Sequence, residues 1–230
     1  MTADANTGLS LAGRVAIVTG AGQGLGRDIT LAVARAGAQV AVVDLNPETA
    51  QKVAAELGEH GKAGIAITCD VSRRKEVRAT VERTMSEWGG IDITHYFLQE
   101  SYENLKARGG RIVNLGSGAG VSGRQEHFSY AATKEAIRAT TRVVARKRGP
   151  EGIRVNTICP AAYDTPAMKR FLSNANDEQT AAMTAQIPLA RFGSGDEVAS
   201  VAVFLASDAS SCMTGHTLMV DGGATMDAGR

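Results

Sequence analysis

Short apolar runs alternate along this chain with longer stretches that repeat an apolar residue every three or four positions. RVAIVTG (14–20), AQVAVVDLN (38–46) and AGIAITCDV (63–71) have strand length and are rich in valine and isoleucine. Between them the spacing predicts a helix over 25–37, stopped by Gly37, and another from Pro47 to Leu57. Asn46 and Pro47 make a cap and first turn for the latter, and Gly58 ends it. Ser72 is placed to cap a third helix that runs to about Trp88. After residue 110 the pattern resumes with a strand at RIVNLG, a helix over 127–149 and a strand over 153–160. Ser194 and Glu197 form a capping box before a helix through Ala206, and TLMVDGG (217–223) closes the series. Strands separated by helices predict parallel βαβ units: an α/β fold whose doubly wound sheet is covered on both faces. No repeat or linker divides the chain, so a single domain is expected over 11–230 behind a polar tail at 1–10.

A chain of 230 residues, 43% hydrophobic, can bury one large core. The formal charge of +1 argues against nucleic acid and anionic membrane as partners. The basic cluster Arg142, Arg146, Lys147 and Arg148 reads as a helix C-terminus, where positive charge offsets the dipole. Cys69, Cys159 and Cys212 stand apart, without metal-ligand spacing. Reduced core thiols and a cytoplasmic location are the expectation. The N-terminus lacks the apolar core of a signal peptide, and no apolar run approaches the roughly 18 residues of a membrane helix.

TGAGQGLG (19–26) joins the first strand to the first helix. Gly20 permits the sharp turn, Gly24 lets backbone approach a ligand, and Gly26 lets the helix pack close to the sheet. The helix N-terminus then offers free N–H groups to a pyrophosphate. The spacing is G-x-x-x-G-x-G, and no GK[ST] follows, so a P-loop is excluded. Turns need glycine in any case, and Asp44 strengthens the reading. It ends the second strand 18 residues after Gly26, where an acid can accept both ribose hydroxyls of NAD and repel the 2′-phosphate of NADP. Asp70 and Val71, at the end of the third strand, are candidates to flank the adenine.

SYAATKEAI supplies Tyr130 and Lys134 at i and i+4, one turn apart on one helix face. A phenol's pKa near 10 is too high for a base at neutral pH, and an adjacent ammonium favours the phenolate. Such a tyrosine can take an alcohol's proton or return it to a carbonyl. Lys134 can also bond the nicotinamide ribose, and Ser117 can hold the substrate oxygen. Taken alone, a Y-x-x-x-K pair is a common helix feature without chemistry; the glycine loop gives it weight.

With these residues assembled, the chain resembles the short-chain dehydrogenase/reductase family. TGAGQGLG is similar to its TGxxxGxG, YAATK to its YxxxK, and Ser117 stands thirteen residues before Tyr130. IRVNTICPAAYDT resembles the family's PGxxxT stretch, and IPLARFGSGDEVASVAVFLASD and TGHTLMVDGG follow its pattern. The resemblance runs from about Leu11 to Gly223 and is closest to the 3-oxoacyl-(acyl-carrier-protein) reductase-like group. It implies Ser117, Tyr130 and Lys134 as catalytic residues. It also implies Gly20, Gln23, Gly24, Leu25, Gly26, Asp44, Asp70 and Val71 around the adenosine and pyrophosphate. Pro160, Tyr163 and Thr165, with Tyr130 and Lys134, would meet the nicotinamide side. The implied sheet has seven parallel strands ordered 3-2-1-4-5-6-7, and the implied assembly is a homotetramer. The implied reaction moves a hydride between NAD(H) and a secondary alcohol or ketone. Alternatives are a 3-oxoacyl-(acyl-carrier-protein) reductase and a dinucleotide-binding protein with little catalysis.

Two departures stand out. Ala161 replaces the family's glycine, putting a methyl group beside the nicotinamide position. In GGIDITHYFLQESYENLKARGG, Ile93 is followed at once by what resembles only the later part of a family helix. The NNAG loop and a catalytic asparagine are absent, about 30 residues by the size of one βα unit. The expectation is a segment unresolved between 93 and 94, with a true deletion as the alternative. In the latter case ITHYFL extends the strand and 99–108 forms a shortened helix. Residues 163–192 occupy the position of a substrate lid. There Met168, Phe171, Leu172 and Met183 either line a pocket or pack the lid down, and SNANDEQT is polar and expected to be mobile.

Overall fold

The computed structural model describes residues 8–94, 97–123 and 127–226. Seven parallel strands form one sheet in the order β3-β2-β1-β4-β5-β6-β7. They are β1 (Val15–Thr19), β2 (Gln39–Asp44), β3 (Gly64–Thr68), β4 (Ile93–Thr94), β5 (Arg111–Leu115), β6 (Arg154–Pro160) and β7 (Thr217–Val220). The helices are α1 (Gly24–Arg35), α2 (Pro47–Glu59), α3 (Arg74–Trp88), α4 (Leu98–Arg108), α5 (Gly118–Ser122), α6 (Phe128–Arg148), α7 (Pro166–Phe171), α8 (Asp177–Ala185) and α9 (Gly195–Ala206). The strand order reverses between β1 and β4, which is where such sheets open a ligand crevice at their carboxyl ends.

The apolar runs follow from burial on both faces. Val40 and Val42 join one core layer with Leu31, Val53 and Leu57, while Ala41 and Val43 join the opposite layer with Val81, Ile91 and Ile112. A third cluster, around Ile158, Val198 and Leu205, packs α9 onto the β5–β6 half. Several local expectations change. Helix α2 runs through Gly58 to Glu59. Ser72 is not a cap: its N–H and hydroxyl both donate to Asp70 (2.9 and 2.7 Å), so α3 starts later, behind Arg73. Cys212 is exposed, whereas Cys69 and Cys159 are core thiols. The polar stretch around 176 is the start of α8, where Asn176 and Gln179 form a reciprocal capping box. The box at Ser194 and Glu197 forms as the sequence predicts. Among the described residues, no helix is long and apolar enough to cross a membrane.

The short connection after β3–α3 shapes the centre of the sheet. Ile93 and Thr94 stand side by side in β4, with Ile93 opposite Ala16 and Arg111 and Thr94 opposite Ile17 and Ile112. Phe97 precedes α4, and residues 95 and 96, within the stretch ITHYFL, lie outside the described residues. Beyond Thr94 a cavity of about 40 Å³ lies between α1, α9 and the sheet, lined by Val18, Thr19, Val113 and Leu115. The buried Thr94 hydroxyl oxygen has no hydrogen-bond partner among the described residues.

Asp92 anchors this connection. It is fully buried and accepts from Val15 N–H (2.9 Å), Arg14 Nη1 (3.1 Å) and Arg108 Nε and Nη2 (3.0 and 2.9 Å). Burial pushes its carboxyl up, but the Arg108 bonds, the Val15 N–H and Arg14 outweigh it and hold the group below the ordinary range. The cluster ties β1 and β4 to the end of α4.

Candidate active site

At the carboxyl end of β1, Gly20 adopts φ +63° and turns the chain into α1. A Cβ on Gly26 would collide with the Gly20 carbonyl oxygen, so only glycine lets the helix begin this close to the strand. Gln23 precedes the helix in an extended conformation and makes no side-chain cap. The first-turn N–H groups therefore point outward without an internal acceptor. Gly24 faces the start of α7: a Cβ there would come no nearer than 3.9 Å to Pro166 and 4.0 Å to Thr165. Leu25 turns its side chain towards the α9 core cluster, leaving its main chain for a ligand.

Asp44 ends β2 beside this loop. Its carboxylate accepts from Gly22 N–H at 2.9 Å and from Asn46 N–H at 3.0 Å. Asp70 is occupied by its own turn: the Ser72 bonds, with Arg73 nearby, hold its carboxyl below the usual range. Its neighbour Val71 is an exposed apolar side chain at the rim.

Ser117 follows β5, and Tyr130 and Lys134 lie on α6. Ser117 caps α5, accepting from Ala119 N–H at 3.2 Å. Tyr130 lies in the first turn of α6, 47% exposed. One turn later, Lys134 Nζ stands 5.6 Å from the Tyr130 ring centroid. Nζ also donates to the Leu115 carbonyl at 3.0 Å, two residues before Ser117. Burial pushes the Lys134 pKa down. Arg111 N–H donates to Asp92 and Gly116 N–H to Ile158, so Arg111, Val113 and Leu115 direct main-chain groups to the β4 side. The Leu115 carbonyl on that side accepts from the amine. Nothing in a motif points to this acceptor. Behind it, Asn114 Nδ2 donates to Thr141 Oγ1 (2.9 Å), as does Thr157 Oγ1 (2.8 Å). Thr141, two turns past Lys134 on α6, is the sequence signal for this network.

The stretch after β6 corrects one assignment. The Tyr163 ring does not face the crevice: it is buried, and its hydroxyl donates to the Val220 carbonyl at 2.6 Å. Burial first, then Glu197 and Asp221, pushes its pKa up to about 12. Its main chain is a different matter. Gly193 N–H donates to Ala162, and Asp164 N–H to Gly193, both at 3.0 Å, so the N–H and C=O of Tyr163 point the other way. Among the described residues neither has a hydrogen-bond partner. Pro160 closes β6, and Thr165 caps α7 by accepting from Met168 N–H at 3.2 Å. Ala161 has no positive φ, so its methyl group fits the backbone without strain. In the lid, Phe171 is exposed and Met168, Leu172 and Met183 are half-buried.

The uncapped N-terminus of α1, the glycine-rich loop and the open amide of Tyr163 together fit a dinucleotide lying across the carboxyl edge. Comparison with known proteins agrees. The family model described as short chain dehydrogenase matches residues 14–96, and that described as enoyl-(acyl carrier protein) reductase matches 94–225. A 3-oxoacyl-(acyl-carrier-protein) reductase of Pseudomonas aeruginosa is 36% identical over 250 residues, covering 95% of this chain and all of the relative. Since 95% of 230 residues is about 219, some 31 of those 250 positions have no counterpart here. A gluconate 5-dehydrogenase from Burkholderia cenocepacia, solved with NADP and tartrate, is 29% identical with TM-score 0.89, covering 96% of this chain and 99% of that one. A 7α-hydroxysteroid dehydrogenase, solved with NADH and 7-oxo glycochenodeoxycholic acid, is also 29% identical with TM-score 0.89, at 96% and 97% coverage.

Proposed function

The chain belongs to the short-chain dehydrogenase family, an oxidoreductase family acting on CH–OH groups, and from that premise we propose that it interconverts a secondary alcohol and a ketone with NAD(H). The observation that carries the reading is Lys134, which joins the Tyr130 ring to the strand end that presents Ser117. When bound, the nicotinamide would accept or give the hydride. Tyr130 takes the proton from the alcohol oxygen, or returns it to the carbonyl. The Ser117 hydroxyl, whose oxygen already accepts from Ala119 N–H, keeps its own proton to donate to the substrate oxygen. Lys134 sets positive charge beside the phenol. The first turn of α1 would hold the pyrophosphate, and Tyr163 N–H and C=O the nicotinamide amide.

The solved neighbours carry NADP in one case and NADH in another. Asp44 supports NAD here: the residues after it, Leu45-Asn46-Pro47, bring no positive charge to a 2′-phosphate. The 36% identity to a 3-oxoacyl-(acyl-carrier-protein) reductase supports that substrate class as the second reading. We read the short connection at β4 as belonging to the chain, with a further segment after Ile93 as the alternative that an intact mass decides. Phe128 and Val143, exposed on α6, support assembly with further copies, with a homotetramer as the expected state. The test is a panel of ketones and alcohols, 2,3-butanedione and ethyl acetoacetate among them, with each cofactor. Turnover with NAD(H) supports the reading; binding without turnover on the whole panel supports a dinucleotide-binding protein instead.

A further inference from the structure

Strand β6 carries Cys159 on the face of the sheet that α6 covers, two residues after Thr157, whose hydroxyl meets Thr141 of that helix. The thiol is fully buried. Gly116 lies directly against it: a Cβ at Gly116 would stand 2.6 Å from the sulfur and 3.0 Å from Thr157 Cγ2. Gly116 N–H donates to the Ile158 carbonyl at 2.8 Å. The charged groups facing the sulfur are Lys134, Glu135 and Arg138, all from α6. Burial pushes the thiol pKa up, so the group stays neutral and acts by shape and as a soft acceptor.

We propose that Cys159 is a positioning residue whose sulfur seats the Gly116–Ser117 turn and so fixes the Ser117 hydroxyl relative to Tyr130. The proposal rests on the reading of Ser117 as the group that holds the substrate oxygen. The geometry makes Gly116 and Cys159 a coupled pair: a side chain added at one position requires atoms removed at the other. Displacing the turn moves the serine, while the cofactor crevice on the β1–β2 side is untouched.

The test compares Gly116→Ala, Cys159→Ala, Cys159→Ser and Gly116→Ala/Cys159→Ala in the full chain. Readouts are NADH-dependent reduction of 2,3-butanedione, NADH affinity by fluorescence, and a crystal structure of Gly116→Ala. Gly116→Ala should lower kcat by about 10²-fold, the cost of a displacement near 1 Å, with NADH affinity unchanged. The double variant should recover at least about 10-fold of that loss, and Cys159→Ser, which keeps an acceptor, should turn over within about threefold of the parent. Wild-type kcat in Gly116→Ala, an unmoved Ser117 Oγ in its crystal structure, or a double variant no faster than Gly116→Ala overturns the proposal. Ser117→Ala separates the two levels. If it is inactive while the coupled pair behaves as wild type, only the seating role fails. If it is fully active, the role of Ser117 fails and this inference with it.

Discussion

Replacing Asp44 by serine asks whether its carboxylate selects the cofactor or merely braces the loop. Two of its bonds are visible, from Gly22 N–H and Asn46 N–H. On the proposed function two more would form to the ribose hydroxyls. Each hydrogen bond to a charged group contributes about 1.5–3 kcal/mol, so losing both ribose bonds costs roughly 3 kcal/mol or more, about 10²-fold in NAD affinity. For NADP a second term has the opposite sign. A carboxylate about 4 Å from a phosphate charge repels it by about 4 kcal/mol at an effective dielectric near 20, and the substitution removes that. The ratio of NADP to NAD dissociation constants should therefore fall by at least about 10²-fold. The assay is fluorescence titration of NADH and NADPH at one ionic strength, with Asp44→Asn beside Asp44→Ser. Asparagine keeps one acceptor and should fall between the parent and serine. If both cofactors weaken equally, the carboxylate serves the glycine loop alone and the selectivity argument is refuted.

Gly26→Ala should abolish NADH binding by driving α1 off the Gly20 carbonyl, measurable in the same titration. Asp92→Ala should destabilise the fold by about 3–5 kcal/mol in urea unfolding, because it strips Arg14 and Arg108 of a fully buried partner; a loss under 1 kcal/mol would count against the anchoring role. Stability should decline in acid. The Arg191 pair and the Ser194 N–H hold Glu197 at about 2 in the folded state, and Asp92 also lies below its ordinary value. Both contributions are present above the unfolded carboxylate values and are lost as pH falls, for Glu197 between about 4.3 and 2. Glu197→Gln should flatten that part of the profile. An intact mass of 24.0 kDa should be found for the native chain, and a mass about 3 kDa higher would restore a segment after Ile93.

The sheet was legible because its strands are buried twice over. Val40 to Val43 serve two core layers, so the apolar run could not be mistaken for an amphipathic strand. The glycine loop was legible because Gly20 and Gly26 answer to backbone geometry that no other residue satisfies. Tyr163 shows where a motif stops informing: one residue sends its ring into the core and its amide towards the crevice, and a residue letter does not separate the two. Ser72 failed as a cap because its N–H and hydroxyl both turn back to Asp70, and the helix begins one residue later, behind Arg73. The partner of Lys134 was out of reach for a different reason. It is a main-chain carbonyl, set by which way β5 turns its backbone and not by a side chain that a motif would name. Cys159 gave no signal at all, since its contact with Gly116 exists only after β5 and β6 pair.

On the proposed function Tyr130 does acid/base work beside a bound nicotinamide, so the decisive variant is Tyr130→Phe, with NADH affinity measured on the same sample. Affinity should stay close to the parent's, and turnover should fall by about 10²-fold or more. Turnover near the parent's, with the cofactor still bound, would contradict it.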